Sequence, residues 1–167
     1  MTTTNAAIYR LDNRAESVAV VKRILHPTDF ADGSVRSLTQ AIRLARQNHA
    51  ELLIVHALPP PTPIFEIESA KLRSAAADLE ALIDNLSSEG LRARRILIKG
   101  TRPIAINIAE CARFFGADLI VMGTGSRRGA ARFLRGSIAA HVVKIAPCPV
   151  LVVRAMPGAV ARDEVVT

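Results

Sequence analysis

The sequence predicts a single α/β domain: a parallel sheet with helices on both faces. Two observations carry this. Short apolar runs alternate with longer stretches of helical spacing, giving five strands and four helices in strict succession. At least one of the runs, "ELLIVHAL", is apolar on both faces, as a strand covered on both sides requires. The length of 167 residues, half of them hydrophobic, suits one domain with a real core.

The elements follow in order. "VAVVKRILHPTDF" holds a first strand, about Lys22 to His26, closed by Pro27. A helix is predicted from Ser34 to Asn48, with Val35, Leu38, Ala41, Ile42 and Ala45 at helical spacing and Asp32 or Ser34 to cap its start. "ELLIVHAL" is the second strand, and "PPPTP" after it enforces a loop, since proline cannot continue a ladder. A long helix spans Glu66 to Ser88, with Leu72, Leu79, Leu82, Ile83 and Leu86 on one face and Gly90 past its end. Such a leucine stripe also occurs in coiled coils, but the flanking strands favour packing on the sheet.

"LRARRILIK" is a third strand whose arginines suit a sheet edge. "GTRPIAINIAECARFFG" is a third helix, with Pro103 in its first turn and Gly116 past its end. "ADLIVMG" is the fourth strand, "SIAAHVVKIA" the fourth helix and "CPVLVVR" the fifth strand. The domain is expected to run from 18 to 155, between an N-terminal extension (1–17) and a C-terminal tail (156–167).

Composition excludes several classes. No apolar run approaches 18 residues, so no membrane span is expected. The N-terminus lacks the pattern of a secretory signal. The two cysteines, Cys111 and Cys148, have no metal-ligand spacing and form no disulfide framework. The expected compartment is the cytoplasm. A net charge of +7, mostly from arginine, favours anionic partners. Six aromatic residues, none of them Trp, are too few for a nucleic-acid stacking platform, so nucleic acid is not the expected partner.

The chemically suggestive stretch is "GTGSRRGAARFLRGS", Gly123 to Ser137. It leaves the carboxyl end of the fourth strand and enters the fourth helix. In a doubly wound sheet, ligands bind beyond the strand carboxyl ends where the strand order reverses. Free amides at a helix start favour an anion, and glycines allow close backbone approach. Ser137 can cap the helix or donate to a phosphate, and Arg127 and Arg128 add charge. Two common motifs fail. No Gly-Lys-Ser/Thr ending exists for a P-loop, and Gly129 follows Gly125 one position too late for a dinucleotide fingerprint. On the residues alone, a phosphate loop and an ordinary basic surface loop both stay open.

"ILHPTDF" and "GADLIVMGTGSRRGAARFLRGSIAAHVVKIAPCPVLVVR", with the length and element order, resemble the universal stress protein family over Lys22 to Arg154. The C-terminal block is the specific part. The resemblance implies a five-stranded parallel sheet of order 3-2-1-4-5, homodimer pairing through the last strand near Val150 to Val153, and, in ATP-binding members, a motif of glycine, two residues, glycine, nine residues, then Gly-Ser or Gly-Thr. Gly123, Gly136 and Ser137 match it. Ser126 stands at the second glycine, with Gly125 beside it.

By the same resemblance, Pro27 and Asp29, with Thr28 between them, lie beside the nucleoside. Ala57 faces adenine, Met122 and Ile138 flank the site, and Thr124 belongs to the loop with its neighbours. ATP, with or without Mg, is the implied cofactor.

Other candidates are weaker. Asp29 as a phospho-acceptor would need to follow the third strand, so a loop-capping role is the better reading. His26 and His56 end strands near the proposed pocket, His49 ends the first helix and His141 lies in the fourth. None forms a catalytic triad or a metal set by spacing, so packed or solvated rings are expected. Cys111 is expected on the buried stripe of the third helix and Cys148 as filler at the start of the last strand. The function expected is a stress-response binding module or switch for an adenine nucleotide, not an enzyme. A dimeric protein acting through protein contacts, without nucleotide, is the alternative.

Overall fold

The computed structural model describes residues 20–30, 32–58, 65–99, 102–124 and 138–154. The elements are β1 (Arg23–Pro27), α1 (Asp32–Asn48), β2 (Glu51–Leu58), α2 (Phe65–Ser88), β3 (Ala93–Lys99), α3 (Ile104–Phe115), β4 (Leu119–Gly123), α4 (Ile138–Ile145) and β5 (Val150–Val153). All strands are parallel, in the order β3-β2-β1-β4-β5. That is the expected fold and strand order. The N-terminal extension, the C-terminal tail and the loop residues Gly125, Ser126, Arg127, Arg128, Gly136 and Ser137 lie outside the described residues, as does the Leu72 side chain.

The sheet divides the interior into two cores. Ile24, Leu52, Ile54 and Val121 point towards α1 and α2, where they meet Ala41, Ala45, Leu79 and Leu86. Leu25, Leu53, Val55 and Ile120 point the other way, towards α3 and α4, meeting Ile108, Ala112 and Val142. Alternate residues of each strand serve opposite faces, which is the period of two at work. α2 packs on β2 and β3 rather than on another long helix.

Of the residues expected on the stripe of α1, Ala41 and Ala45 are buried in the core and Leu38 and Ile42 pack against it, while Val35 is not on it. The centre of the stripe is Ser37, Ala41 and Ala45, each 0% exposed. Val35 is 58% exposed. Two helical residues subtend about 200°, so a stripe centred on Ser37 turns Val35 outward. Ser37 is tolerated in the core because its hydroxyl donates to the Ser34 carbonyl at 2.9 Å. Pro103 also departs from expectation, standing one residue before α3 with an extended ψ of 138°. It still stops the helix from starting earlier, because its ring fixes φ and removes a donor.

The amino end of β1 is fastened to the α3–β4 connection. The Asp118 carboxylate accepts the amides of Lys22 and Arg23, each at 2.8 Å. Arg23 Nη1 donates to the Phe115 carbonyl at 3.0 Å, placing a cation on the last turn of α3, where the helix dipole favours it. Gly116 closes that helix at φ +66°, and a Cβ there would stand 2.9 Å from Arg23 Nη1. The left-handed backbone is what favours glycine here; the Arg23 guanidinium, at the end of a flexible side chain, could shift to admit a Cβ.

β3 is an edge strand, as its arginines suggest. Arg94 pairs with Glu51 at 3.3 Å and Arg95 with Glu80 at 3.4 Å, so charge lies along the rim where water reaches it. Cys111 and Cys148 are free, half-buried thiols packed against the α3–α4 core, and burial raises both above their ordinary pKa.

Candidate functional site

β1 and β4 are adjacent although far apart in sequence, with Ile24 beside Leu119 and Leu25 beside Ile120. Each strand then hands the chain to a helix on a different face. α1, which follows β1, contributes to one core, and α4, which follows β4, to the other. The strand order reverses here, and in sheets of this kind the crevice beyond the carboxyl ends at such a reversal is where ligands bind. Sequence-predicted residues from both strands lie at these ends.

From β1, Pro27 ends the strand opposite Val55. Thr28 extends the pairing one residue further, its amide donating to the Val55 carbonyl at 2.8 Å, and it is 8% exposed. Asp29 is exposed and its carboxylate accepts the Ser34 hydroxyl. The Asp29 amide donates to the same hydroxyl at 3.3 Å. The loop-capping reading of Asp29 is therefore correct, and Ser34 is the partner that joins it to the first turn of α1. From β2, Ala57 is half-buried near the strand end, beside Ile98.

From β4, Met122 is 5% exposed and belongs to the α3–α4 core. Gly123 pairs with Val153, and the Thr124 amide donates to the Val153 carbonyl at 3.0 Å. That bond holds the chain in strand direction up to the entrance of the glycine- and arginine-rich loop. Beyond the loop, Ile138 opens α4 and is 43% exposed.

The histidines separate into distinct roles. His26 does not reach the rim of the crevice: it is 0% exposed on the α1–α2 side, its Nδ1 donating to the Val121 carbonyl at 2.8 Å. Among the described residues, its Nε2 has no hydrogen-bond partner. That arrangement needs the neutral ring. Burial lowers the His26 pKa from 6.5 to about 4, with the Val121 bond and the Asp29 charge opposing the shift. It is a core histidine, the packed role expected of it. His56 is half-buried, and its Nδ1 donates to the Thr28 carbonyl at 2.8 Å, tying the end of β2 to the loop after β1.

Phe30 was not legible as part of this region. Its backbone is left-handed, at φ +57°, and its ring lies 5.2 Å from that of His56. A bulky residue in that conformation is strained. The Thr28 hydroxyl, which accepts the Phe30 amide at 3.1 Å, helps hold it there. Only the Thr-Asp-Phe turn sequence hinted at a tight bend. Among the described residues no cluster of three metal-ligating side chains exists, and no helix is long and apolar enough to cross a membrane.

Comparison with known proteins places this architecture. The model of the universal stress protein family matches residues 21–154. A universal stress protein of Methanocaldococcus jannaschii is 33% identical over 141 residues, covering 80% of this chain and 82% of that protein. One from Thermus aquaticus is 36% identical over 138 residues, covering 80% of this chain and 98% of its own length. Among solved structures, a universal stress protein from Archaeoglobus fulgidus in complex with dAMP superposes with a TM-score of 0.59 at 26% identity, covering 80% of this chain and 98% of that one. A family match across most of the chain, joined to the same fold and strand order, makes the chain a member of the universal stress protein family.

Proposed function

We propose that the protein binds an adenine nucleotide, with Mg-ATP the first candidate, in the crevice between the carboxyl ends of β1 and β4. The observation that carries this reading is the strand-order reversal at β1 and β4, where the glycine- and arginine-rich loop begins at Gly123. The dAMP complex of the Archaeoglobus fulgidus relative supports the ligand class. The residues fit such a ligand: Gly123 adds no side chain at the mouth, and exposed Asp29 stands on the opposite lip. Asp29 and Ala57 face the nucleoside. Amides and hydroxyls of Thr124, Gly136 and Ser137 meet the phosphates, together with Arg127 and Arg128. Bound Mg would neutralise part of the phosphate charge. The protein acts in the cytoplasm as a stress-response binding module rather than an enzyme.

Calorimetric titration with Mg-ATP tests this. Wild type is expected to bind in the micromolar range, about −8 kcal/mol. Gly136→Asp removes binding by setting a carboxylate where phosphate lies. Replacing Arg127 and Arg128 together with Ala weakens binding most at low salt, while the melting temperature stays within about two degrees. Ser126→Gly binds as well as wild type or better. The second reading, a module that works through protein contacts without nucleotide, is favoured by Ser126 at a glycine position of the motif. Binding that is absent in wild type and gained in Ser126→Gly would establish it.

In either reading the protein pairs through Val150 to Val153 of β5. This strand bonds β4 on one edge, and Leu151 is 40% exposed. Pairing with a second copy would cover such an edge. Light scattering at micromolar concentration should give a dimer, and a clean monomer overturns this.

A further inference from the structure

The backbone groups of β1 divide between its two neighbours. Glu51 donates to the Lys22 carbonyl and Thr28 to the Val55 carbonyl, so the even-numbered residues of β1 turn towards β2. The odd-numbered ones, Arg23, Leu25 and Pro27, turn towards β4. The Arg23 carbonyl, which accepts the Asp118 amide at 2.8 Å, lies on that side. β4 divides in the same way. Ile120 donates to the Pro149 carbonyl and Thr124 to the Val153 carbonyl, both on the β5 side. Val121 therefore turns towards β1.

The two strands pair at Ile24–Leu119 and Leu25–Ile120. In that register the amide that would next meet the Val121 carbonyl is that of residue 27. Residue 27 is proline and has no amide hydrogen. β1 runs on beside β2 as far as Pro27, but its ladder to β4 stops two residues short. Val121 is 0% exposed, so bulk water is out of reach. The donor that does arrive is the His26 ring, whose Nδ1 stands 2.8 Å from that carbonyl.

We propose that His26 is a positioning residue of the crevice: its Nδ1–H stands in for the amide that Pro27 lacks and holds the carboxyl end of β4 to that of β1. The link itself is independent of any ligand; its effect on affinity rests on the nucleotide reading. Satisfying a buried carbonyl is not the whole of its role. His26 is itself 0% exposed, and among the described residues its Nε2 has no hydrogen-bond partner. With leucine there, the Val121 carbonyl would be the unpaired acceptor; with histidine, Nε2 is. The number of orphaned acceptors is the same, so what the ring adds is the bond across two strands. That bond lies just below the candidate site. Asp29 follows His26 by three residues, and Gly123 follows Val121 by two. The ring thus fixes how far apart the two lips stand, from inside the core.

Amide hydrogen exchange on the full-length protein tests the link. His26→Leu should speed exchange of the Val121 and Thr124 amides roughly fivefold or more, the loss of one buried hydrogen bond. The Leu53 and Ile54 amides of β2 should change far less. His26→Asn can place its side-chain nitrogen where Nδ1 stands and should keep the protection of wild type. Pro27→Ala returns a backbone amide to the same carbonyl, so in that background His26→Leu should have little effect. Should His26→Leu alone fail to fold, adding Pro27→Ala should restore folding. Exchange at Val121 and Thr124 that His26→Leu leaves unmoved overturns the proposal. So does faster exchange spread evenly over β2 and β4, or an equal effect with and without Pro27→Ala, a double variant that stays unfolded included. Titration with Mg-ATP carries the consequence for the site. His26→Leu should bind about fivefold more weakly than His26→Asn, and equal affinities overturn the positioning role. A wild type that binds no nucleotide overturns the nucleotide reading instead, and the exchange experiment then decides on His26 by itself.

Discussion

β1 and β3 both carry an Ile-Leu pair and both bond to β2, yet the two strands live in different surroundings. Ile24 and Leu25 of β1 are 0% exposed, while Ile96, Leu97 and Ile98 of β3 are all half-buried. β1 has a strand on each side and a helix layer on each face. β3 has one strand neighbour, and its residues only partly pack against the two cores, Leu97 on one face and Ile96 and Ile98 on the other. Neighbours, not local hydrophobicity, decide what a strand residue contributes.

The sharpest way to break this comparison is to truncate one residue in each strand. Leu25→Ala should cost about 3–5 kcal/mol in urea denaturation, since it leaves a cavity in a core that cannot collapse. Ile96→Ala should cost roughly 1 kcal/mol, because water already borders it. Equal losses would mean that β3 is covered as thoroughly as β1.

The second test is pH, to which only β1 contributes a fully buried titrating group. The folded-state pKa of His26 lies below the unfolded value of 6.5, so the fold holds the neutral ring. Stability is full above about pH 6.5. It falls as pH drops towards 4, where the unfolded chain takes up a proton that the folded chain refuses. The gap between 6.5 and about 4 corresponds to roughly 3 kcal/mol. Unfolding free energies of wild type should decline over that window. His26→Leu should flatten the decline, and an unchanged slope would show that other groups cause it.

A smaller effect is expected where the amino end of β1 meets α3. Gly116→Ala forces a side chain into the left-handed region and displaces the Arg23 guanidinium from the Phe115 carbonyl. A loss of about 1–2 kcal/mol should appear in thermal denaturation. A neutral substitution would mean that the helix end unwinds freely. The smallest effect belongs to the rim of β3. Arg94→Ala breaks the pair with Glu51, but the Arg94 side chain is 65% exposed. A loss below about 1 kcal/mol, shrinking further in high salt, is expected from chemical denaturation.

The same contrast explains what could be read from the sequence. β2 was legible to the residue, because a run apolar on both faces has one home in such a fold. β3 was legible as an edge from its arginines. The strand order came with the family resemblance, since periodicity says nothing of which strands are neighbours. The stripe of α1 was legible in Leu38, Ala41, Ile42 and Ala45 but not in Ser37, a polar residue that satisfies itself on its own helix, and Val35 was wrongly added to it. At the candidate site, Pro27, Thr28, Asp29, Ala57, Met122, Gly123 and Thr124 do gather at the ends of three neighbouring strands. The left-handed turn at Phe30 and its contact with His56 were hidden, because they depend on two strands being side by side. The Asp118 fastening was hidden for the same reason.

That fastening also has a meaning in time. The carboxylate of Asp118 holds an amide 95 residues earlier in the chain, and the carbonyl that His26 needs lies 95 residues later. A ribosome adding about 5–20 residues per second makes β1 wait roughly 5–20 s for β4. Until β2 is made β1 has neither neighbour, and from then until β4 arrives it has β2 on one side and one bare edge, with the His26 ring unsatisfied. A central, buried strand of the finished protein is thus among the first made and among the last completed. Premature association on the nascent chain is to be sought at that exposed edge, before the fourth strand arrives.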